Sequence, residues 1–313
     1  MQFRPLGNTG LVVSSVGFGA WQLNNPLWGG PDESESIRLV QAALDAGCNF
    51  FDTAPNYGDG ASEMVLGRAL RGRRDHAVIC TKFGHTGPHT KDFSTARLRP
   101  TSEGSLRRLQ TDHADVLLLH NPPADRLDGG QAAELYAELA RLQSEGKLRA
   151  FGASVDWSHE LRALCATTPS HAAEVLFNAF HQEPRAAFAE ASAHGLGLIA
   201  KVPLDSGWLG GKYDEHSRFD GVRSRWEPSV IARRAALVQR LRSLVPAGMP
   251  LALAALGFVL SHPEIATVNP GVKSRAQLDA NLVAAAAAPL PPAVVAGIRT
   301  LWETEIARDP LPW

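Results

Sequence analysis

The chain has 313 residues, 44% of them hydrophobic, and its 31 lysines and arginines nearly balance 32 aspartates and glutamates. That length and apolar content bury a large core, and a near-neutral chain with no basic stripe excludes nucleic acid or a membrane surface as the expected partner, leaving a small neutral or anionic ligand. Cys48, Cys80 and Cys165 lie far apart with no C-x-x-C pair, so neither a disulfide framework nor a zinc site is expected.

Residues 2–13 read as two short strands around Asn8-Thr9-Gly10, a hairpin outside the repeat that follows. The opening Met1-Gln2-Phe3-Arg4-Pro5 lacks the apolar stretch of a signal peptide. The longest apolar run, Leu251 to Leu260, is too short to span a bilayer. A cytoplasmic protein without a membrane partner is expected; no protein partner is indicated.

From Val16 onward, short apolar runs alternate with amphipathic segments of helical length. Val16–Ala20 comes first, and its Gly17-Phe18-Gly19-Ala20 does not complete the G-x-G-x-x-G turn that a doubly wound dinucleotide fold needs. A helix over Glu33–Ala46 follows, with Asp32 as its cap and Gly47 at the left-handed position that ends it. Next come the run Asn49–Asp52 and the helix Ser62–Leu70, then Ala77–Thr81 and Thr101–Gln110, then Asp115–His120 and Gln131–Glu145. That last helix spaces Ala132, Leu135, Leu139 and Leu142 by threes and fours, a stripe that faces a sheet, and Gly146 ends it. The alternation continues through Leu148–Ser154, His159–Ala166, Glu174–Asn178, Arg185–Ala193, Gly197–Lys201 and Thr267–Asn269. Residues 203–230 form a long insertion after the seventh run, and Pro289 to Trp313 hold one more helix and a Pro-punctuated end.

Runs this short and this uniformly apolar suit strands buried on both faces of a parallel sheet. Eight of them in strict alternation with helices predict a closed (β/α)8 TIM barrel, one domain over 1–313. The N-terminal hairpin would close one end, and extra helices would follow the seventh strand and end the chain.

In such a barrel, chemistry sits at the carboxyl ends of the strands. Asp52 ends the second run and Tyr57 stands in its loop; Lys82 ends the third run and His120 the fourth. A lone charge is costly at a partly buried strand end, so neighbouring strands are expected to let Asp52 and Lys82 satisfy each other and bear on Tyr57. This set suits proton-coupled hydride transfer. Lysine favours the phenolate and lowers the tyrosine pKa toward working pH, and histidine donates a second hydrogen bond to a carbonyl oxygen. Each residue alone has an ordinary structural explanation; together on three consecutive strands they favour a site.

Phe51-Asp52-Thr53-Ala54-Pro55-Asn56-Tyr57-Gly58, followed by Ser62-Glu63 and Leu66-Gly67, resembles the aldo-keto reductase signature. Thr81-Lys82, Leu118-Leu119-His120-Asn121, Gly152-Ala153-Ser154, Pro203-Leu204 through Leu209-Gly210-Gly211-Lys212-Tyr213, and Asn269-Pro270-Gly271 match that family in order. The resemblance implies that Asp52, Tyr57, Lys82 and His120 form a catalytic tetrad with Tyr57 as general acid. It implies NADP, with NAD possible, across the barrel mouth, touching Gly19, Ala20, Trp21 and Asp52. Ser154 and Asn178 would hold the carboxamide; Leu204, Ser206 and Leu209 would cover the pyrophosphate; Gly271, Lys273, Gln277 and Asn281 would take the adenosine end. The turn after the eighth strand opens a helix, so free N–H groups and the helix dipole favour an anion there on physical grounds as well. Arg275 reads as a solvated helix-start charge.

Two positions depart from the family. Val155 follows Ser154 where asparagine is usual, and Lys201 stands where an aromatic ring usually stacks on the nicotinamide. A cation there is expected to disfavour the oxidised cofactor, or to turn away while another ring, such as Trp208, covers the site. Substrate contacts are expected from Trp21, Trp28, Phe83, His85, Trp157 and Trp226; His85 through His89 read as a loop, with no metal. The expected activity is hydride transfer between nicotinamide and an aldehyde, ketone or sugar lactol, in a direction left open. A metal-dependent barrel hydrolase lacks clustered ligands. The remaining alternative is a cofactor-binding, redox-sensing regulatory protein of the same fold with little turnover.

Overall fold

Eight parallel strands hydrogen-bond in chain order around the molecule: β3 (Phe18–Gly19), β4 (Phe50–Asp52), β5 (Val78–Phe83), β6 (Ala114–His120), β7 (Leu148–Val155), β8 (Ala172–Leu176), β9 (Gly197–Lys201) and β10 (Ile265–Asn269). The structure, a computed structural model, describes residues 1–87, 90–221 and 224–312. Bridges Val16 to Val268 and Gly19 to Gly271 bring the first strand beside the last and close the barrel. Gly17 N donates to Val268 O at 2.9 Å and Gly19 N to Pro270 O at 3.0 Å. The seam needs glycine: a Cβ on Gly19 would lie 3.1 Å from the carbonyl oxygens of Asn269 and Pro270.

The hairpin strands β1 (Phe3–Pro5) and β2 (Val12–Ser14) pair antiparallel, as expected. They seal the end opposite the strand carboxyl termini. Leu6, Leu11 and Val13 share a buried cluster with Phe50, Val116 and Ile199 of the barrel strands. The Arg4 guanidinium donates to Leu260 O at 2.9 Å and Ile265 O at 2.7 Å, satisfying carbonyls where the chain enters β10.

Helices fill the links: α1 (Glu33–Asp45), α2 (Ala61–Ala69), α3 (Thr95–Leu109), α4 (Ala133–Ser144), α5 (Ser158–Thr167) and α6 (Phe188–Ala193). Between β9 and β10 lie α7 (Pro228–Leu244) and α8 (Leu251–Leu260); α9 (Arg275–Ala284) and α10 (Pro292–Glu305) end the chain. The Asp32 carboxylate accepts from Glu35 N at 2.8 Å and caps α1, and Gly47 follows it with φ 87°. Three expectations shift. Helix α3 begins at Thr95 instead of Thr101 and carries Pro100 inside, because burial of Leu98, Leu106 and Leu109 outweighs the missing hydrogen bond. The segment 185–193 divides into a 3-10 turn, Glu183–Ala187, and α6. Strand β8 begins two residues before Glu174 and ends at Leu176, which leaves Asn178 in the following turn. No described helix is long and apolar enough to cross a membrane.

Candidate active site

The barrel register brings the strand-end residues together. Asp52 is the last residue of β4 and pairs with Cys80 of β5, two residues before Lys82. His120, Ser154 and Glu174 lie side by side across β6, β7 and β8. The loop carrying Tyr57 is fixed at both ends. Ser62 Oγ donates to Ala20 O at 2.9 Å and lies 2.8 Å from Thr53 Oγ1. Glu63, fully buried, accepts from Thr81 Oγ1 at 2.7 Å and from Arg108 Nε at 2.7 Å. Those bonds pin the start of α2, and Tyr57 N turns back to Ala54 O at 3.1 Å.

The Lys82 ammonium is the hub. It forms an ion pair with Asp52, donates to Thr53 O at 3.1 Å and to the Tyr57 hydroxyl at 3.4 Å, and stands 3.6 Å from Glu174 Oε1. All of these side chains are buried. Burial opposes the lysine charge, but Asp52 and Glu174 outweigh it and hold Lys82 protonated well above its ordinary range. Burial, then the second carboxylate on Glu174, pushes Asp52 up to about 7 against the pull of Lys82.

The Tyr57 phenol departs from expectation. Lys82 does lower its pKa, but burial acts more strongly in the opposite direction and drives it above the ordinary value. Tyr57 is therefore a neutral phenol, a proton donor in its resting form. His120 is held well below its usual value by burial first, then by Lys82 and neighbouring His85 and by Lys201 and Lys91, so the imidazole is neutral. Its Nδ1 has no hydrogen-bond partner, and its ring centre lies 5.9 Å from that of Tyr57. Trp21 packs on Tyr57 with centroids 4.4 Å apart, and Trp28 meets Trp21 edge-on at 5.1 Å, forming one wall.

Lys201 turns inward. Its ammonium donates to Ser154 Oγ at 2.7 Å and Asn121 Oδ1 at 3.1 Å and pairs with Asp156 Oδ1 at 2.9 Å. Asn121 Nδ2 donates to the other Asp156 oxygen at 2.9 Å. The alternative in which Trp208 covers this position is corrected: Trp208 is fully buried in a cluster with Tyr213, Phe219 and Trp226. Phe83 packs on Phe93 in the core, and Trp226 is buried too, so neither ring reaches the mouth. Trp21, Trp28 and Trp157 remain partly exposed, and His85 lies against His120 with centroids 4.3 Å apart. His89 lies outside the described residues, among which no group of three or more His, Cys, Asp or Glu side chains is placed to hold a metal ion.

At the far side of the mouth, Gly19 and Gly271 put bare backbone beside each other across the barrel seam, with buried Ala20 next in the chain. Leu204 and Ser206 lie half-buried in a turn where Val202, Asp205 and Ser206 all hold positive φ. The Leu209 side chain is in the core, which leaves its main chain to serve any ligand. Ser274 caps α9 by accepting from Gln277 N at 3.3 Å, and Gln277 Oε1 accepts from Lys273 N at 3.0 Å. Lys273 forms no ion pair among the described residues, whereas Arg275 pairs along the helix with Asp279 at 2.8 Å. Asn281 is buried with Nδ2 unpartnered. Asn178 is engaged at both ends of its amide: Nδ2 donates to Val202 O at 3.0 Å and Oδ1 accepts from Phe180 N at 2.8 Å.

Three residues escape the sequence reading: Glu174, Asp156 and Asn121. A glutamate inside an apolar run is a signal for the first. The other two follow strand ends directly, Asn121 after His120 and Asp156 after Val155. Chemically, the site offers a neutral phenol proton beside a fixed ammonium and a neutral imidazole, a set that donates to an oxygen gaining negative charge.

Residues 15–303 match the profile of the Aldo/keto reductase family. The chain is 33% identical to aldo-keto reductase YhdN of Bacillus subtilis (strain 168) over 228 residues, 71% of this chain and 67% of that one. It is 30% identical to L-galactose dehydrogenase of Arabidopsis thaliana over 292 residues, 91% of this chain and 88% of that protein. Its backbone superposes on the holo form of aldo-keto reductase AKR11C1 from Bacillus halodurans with a TM-score of 0.82 at 28% identity, covering 96% of each.

Proposed function

The chain belongs to the aldo/keto reductase family, and on that footing we propose that it interconverts an aldehyde, ketone or sugar lactol with its redox partner, using NADPH and Tyr57 as the acid–base group. The observation that carries this reading is the Tyr57 hydroxyl 3.4 Å from a buried ammonium whose charge two carboxylates maintain.

The mouth fits a nicotinamide dinucleotide. Buried polar atoms without partners, Trp21 Nε1, His120 Nδ1 and Asn281 Nδ2, mark it from the acid–base end to the start of α9. When bound, the nicotinamide supplies or accepts the hydride. Ser154 and Lys201 offer a hydroxyl and an ammonium to its carboxamide, while Gly19, Ala20, Trp21 and Asp52 border it. Main chain at Leu204, Ser206 and Leu209 suits the pyrophosphate. Gly271, the Lys273 ammonium, Gln277 and Asn281 suit the adenosine end, and Lys273 favours a 2′-phosphate through its unpaired charge. We assign Asn178 to bracing the turn at Val202, because its amide is already engaged.

In reduction, Tyr57 donates its phenolic proton to the substrate oxygen as charge develops there. Lys82 stabilises the phenolate left behind, and Asp52 holds Lys82 in place. His120 donates a hydrogen bond that orients the carbonyl. The lactol option draws on the likeness to L-galactose dehydrogenase and on the polar rim of Asn121, Asp156 and His85 beside Trp157. Titration of intrinsic tryptophan fluorescence with NADPH and with NADH tests the reading: NADPH is expected to bind more tightly. Failure of both to bind overturns it.

A further inference from the structure

Glu174 has no task in the chemistry above, yet it lies in the middle of β8, almost wholly buried, against the hub lysine. Its Oε1 accepts no hydrogen bond and stands 3.6 Å from Lys82 Nζ. Its Oε2 accepts from Ser154 Oγ at 2.7 Å. Ser154 Oγ in turn accepts from Lys201 Nζ at 2.7 Å, and Lys201 pairs at 2.9 Å with Asp156, whose side chain is 26% exposed. Burying an acid with one oxygen unpartnered is costly. A row of proton-exchanging groups thus runs from the Tyr57 hydroxyl to the rim, each supplied by a different strand or loop and each within 3.6 Å of the next.

We propose that Glu174, Ser154 and Lys201 form a proton path between Lys82 and solvent at Asp156, which returns Tyr57 to its starting state after each turnover. The path rests on the hydride-transfer reading. In reduction, Tyr57 gives its proton to the substrate oxygen, forming an O–H bond, and the Lys82 ammonium hands a proton to the phenolate. The Glu174 carboxylate takes the Ser154 hydroxyl proton and passes it to Lys82. Lys201 gives one of its own to Ser154 and recovers it from water at the rim. One proton leaves water and one reaches product; every protein group ends as it began. Oxidation runs the same steps in reverse. The path requires the 3.6 Å between Lys82 Nζ and Glu174 Oε1 to shorten to hydrogen-bond length. Glu174 is faced by Lys82, Asp52, Tyr57 and Cys80 on one side and by Ser154 and Lys201 on the other, so both a donor and an acceptor are present at each end.

The test is stopped-flow mixing of the protein with NADPH and p-nitrobenzaldehyde in weak buffer, reading NADPH absorbance and a pH indicator together, in light and heavy water. In the wild type, proton uptake keeps pace with NADPH oxidation. In Glu174→Gln, uptake lags, kcat falls about tenfold and the solvent isotope effect rises, while the NADPH Kd and KM stay within about twofold. Ser154→Ala shows the same lag and isotope effect, with its NADPH Kd measured separately, and Ser154→Thr restores both. Wild-type proton uptake and isotope effect in Glu174→Gln and Ser154→Ala overturn the path, as does a kcat loss with an unchanged isotope effect. A wild-type protein that consumes no NADPH overturns the hydride-transfer reading itself, a result distinct from intact turnover with unaltered proton uptake.

Discussion

Lys82 Nζ stands 3.4 Å from the Tyr57 hydroxyl in a nest where two carboxylates, on Asp52 and Glu174, share one ammonium. The lysine serves the tyrosine and stabilises the fold at once. Lys82→Met leaves both carboxylates buried without their cation, a loss of about 3–5 kcal/mol if they stay ionised. Protonation relieves part of that cost: Asp52, already pushed up to about 7 beside the cation, rises further once Lys82 no longer lowers it. Groups with raised folded pKa contribute stability below the unfolded value and lose it as pH rises. The variant is therefore expected to fall further below wild type as pH rises above about 7, in urea denaturation at several pH values. A pH-independent difference contradicts the shared-cation account.

His120 gives the opposite sign. Its folded pKa is held well below 6.5 by burial and by the surrounding cations, so the unfolded chain takes up its proton first as pH falls. The stability it contributes is present above about pH 6.5 and lost as pH falls toward the folded value. Wild type is expected to lose about 2 kcal/mol more than His120→Asn between pH 7 and pH 5. Equal losses by the same denaturation assay mean that the imidazole is not held neutral.

Lys201 carries a cation where the family usually places a ring, but Asp156 at 2.9 Å offsets much of its field. A residual preference against the oxidised, positively charged nicotinamide is expected. Lys201→Tyr should raise the affinity for NADP⁺ relative to NADPH by about three- to tenfold in calorimetric titrations. An unchanged ratio removes Lys201 from the control of cofactor redox state.

The turn at Asp205 is held by a buried ion pair with Arg234 of α7, and Arg234 also donates to Pro312 O at 2.7 Å, tying the C-terminal tail to that turn. Arg234→Leu strands the Asp205 charge in the core and is expected to cost about 3 kcal/mol of stability and to weaken NADPH binding. The double variant Asp205→Leu with Arg234→Leu should regain most of the stability, because two apolar side chains replace both charges. A double variant as unstable as the single one contradicts this.

The barrel and the trio Asp52, Lys82 and His120 are legible in the sequence, because a charged or polar group that closes an apolar run has few places to go except the strand-end rim. Glu174 is not. The run read as Glu174–Asn178 puts the glutamate at the strand start, away from the mouth; in fact β8 opens on Ala172 and Ala173, whose weak apolar signal hides them. That shift moves Glu174 into register with Ser154 and moves Asn178 out into a turn. The net effect on Tyr57 is equally hidden: the sequence offers the lysine that lowers its pKa, but only the packing of Trp21 and the barrel wall sets the larger opposing burial. Trp208 and Trp226 look like rim aromatics in an insertion rich in glycine and arginine, yet they pack against each other at a tilt within the main core.

The most direct test of the central claim compares wild type with Tyr57→Phe for NADPH binding and for NADPH oxidation with p-nitrobenzaldehyde. The account predicts that the variant binds NADPH within about twofold of wild type and loses roughly 100- to 10,000-fold in kcat, the range for a positioned acid. A wild-type protein that binds NADPH but oxidises it no faster than Tyr57→Phe contradicts the account and identifies a redox-sensing protein with little turnover.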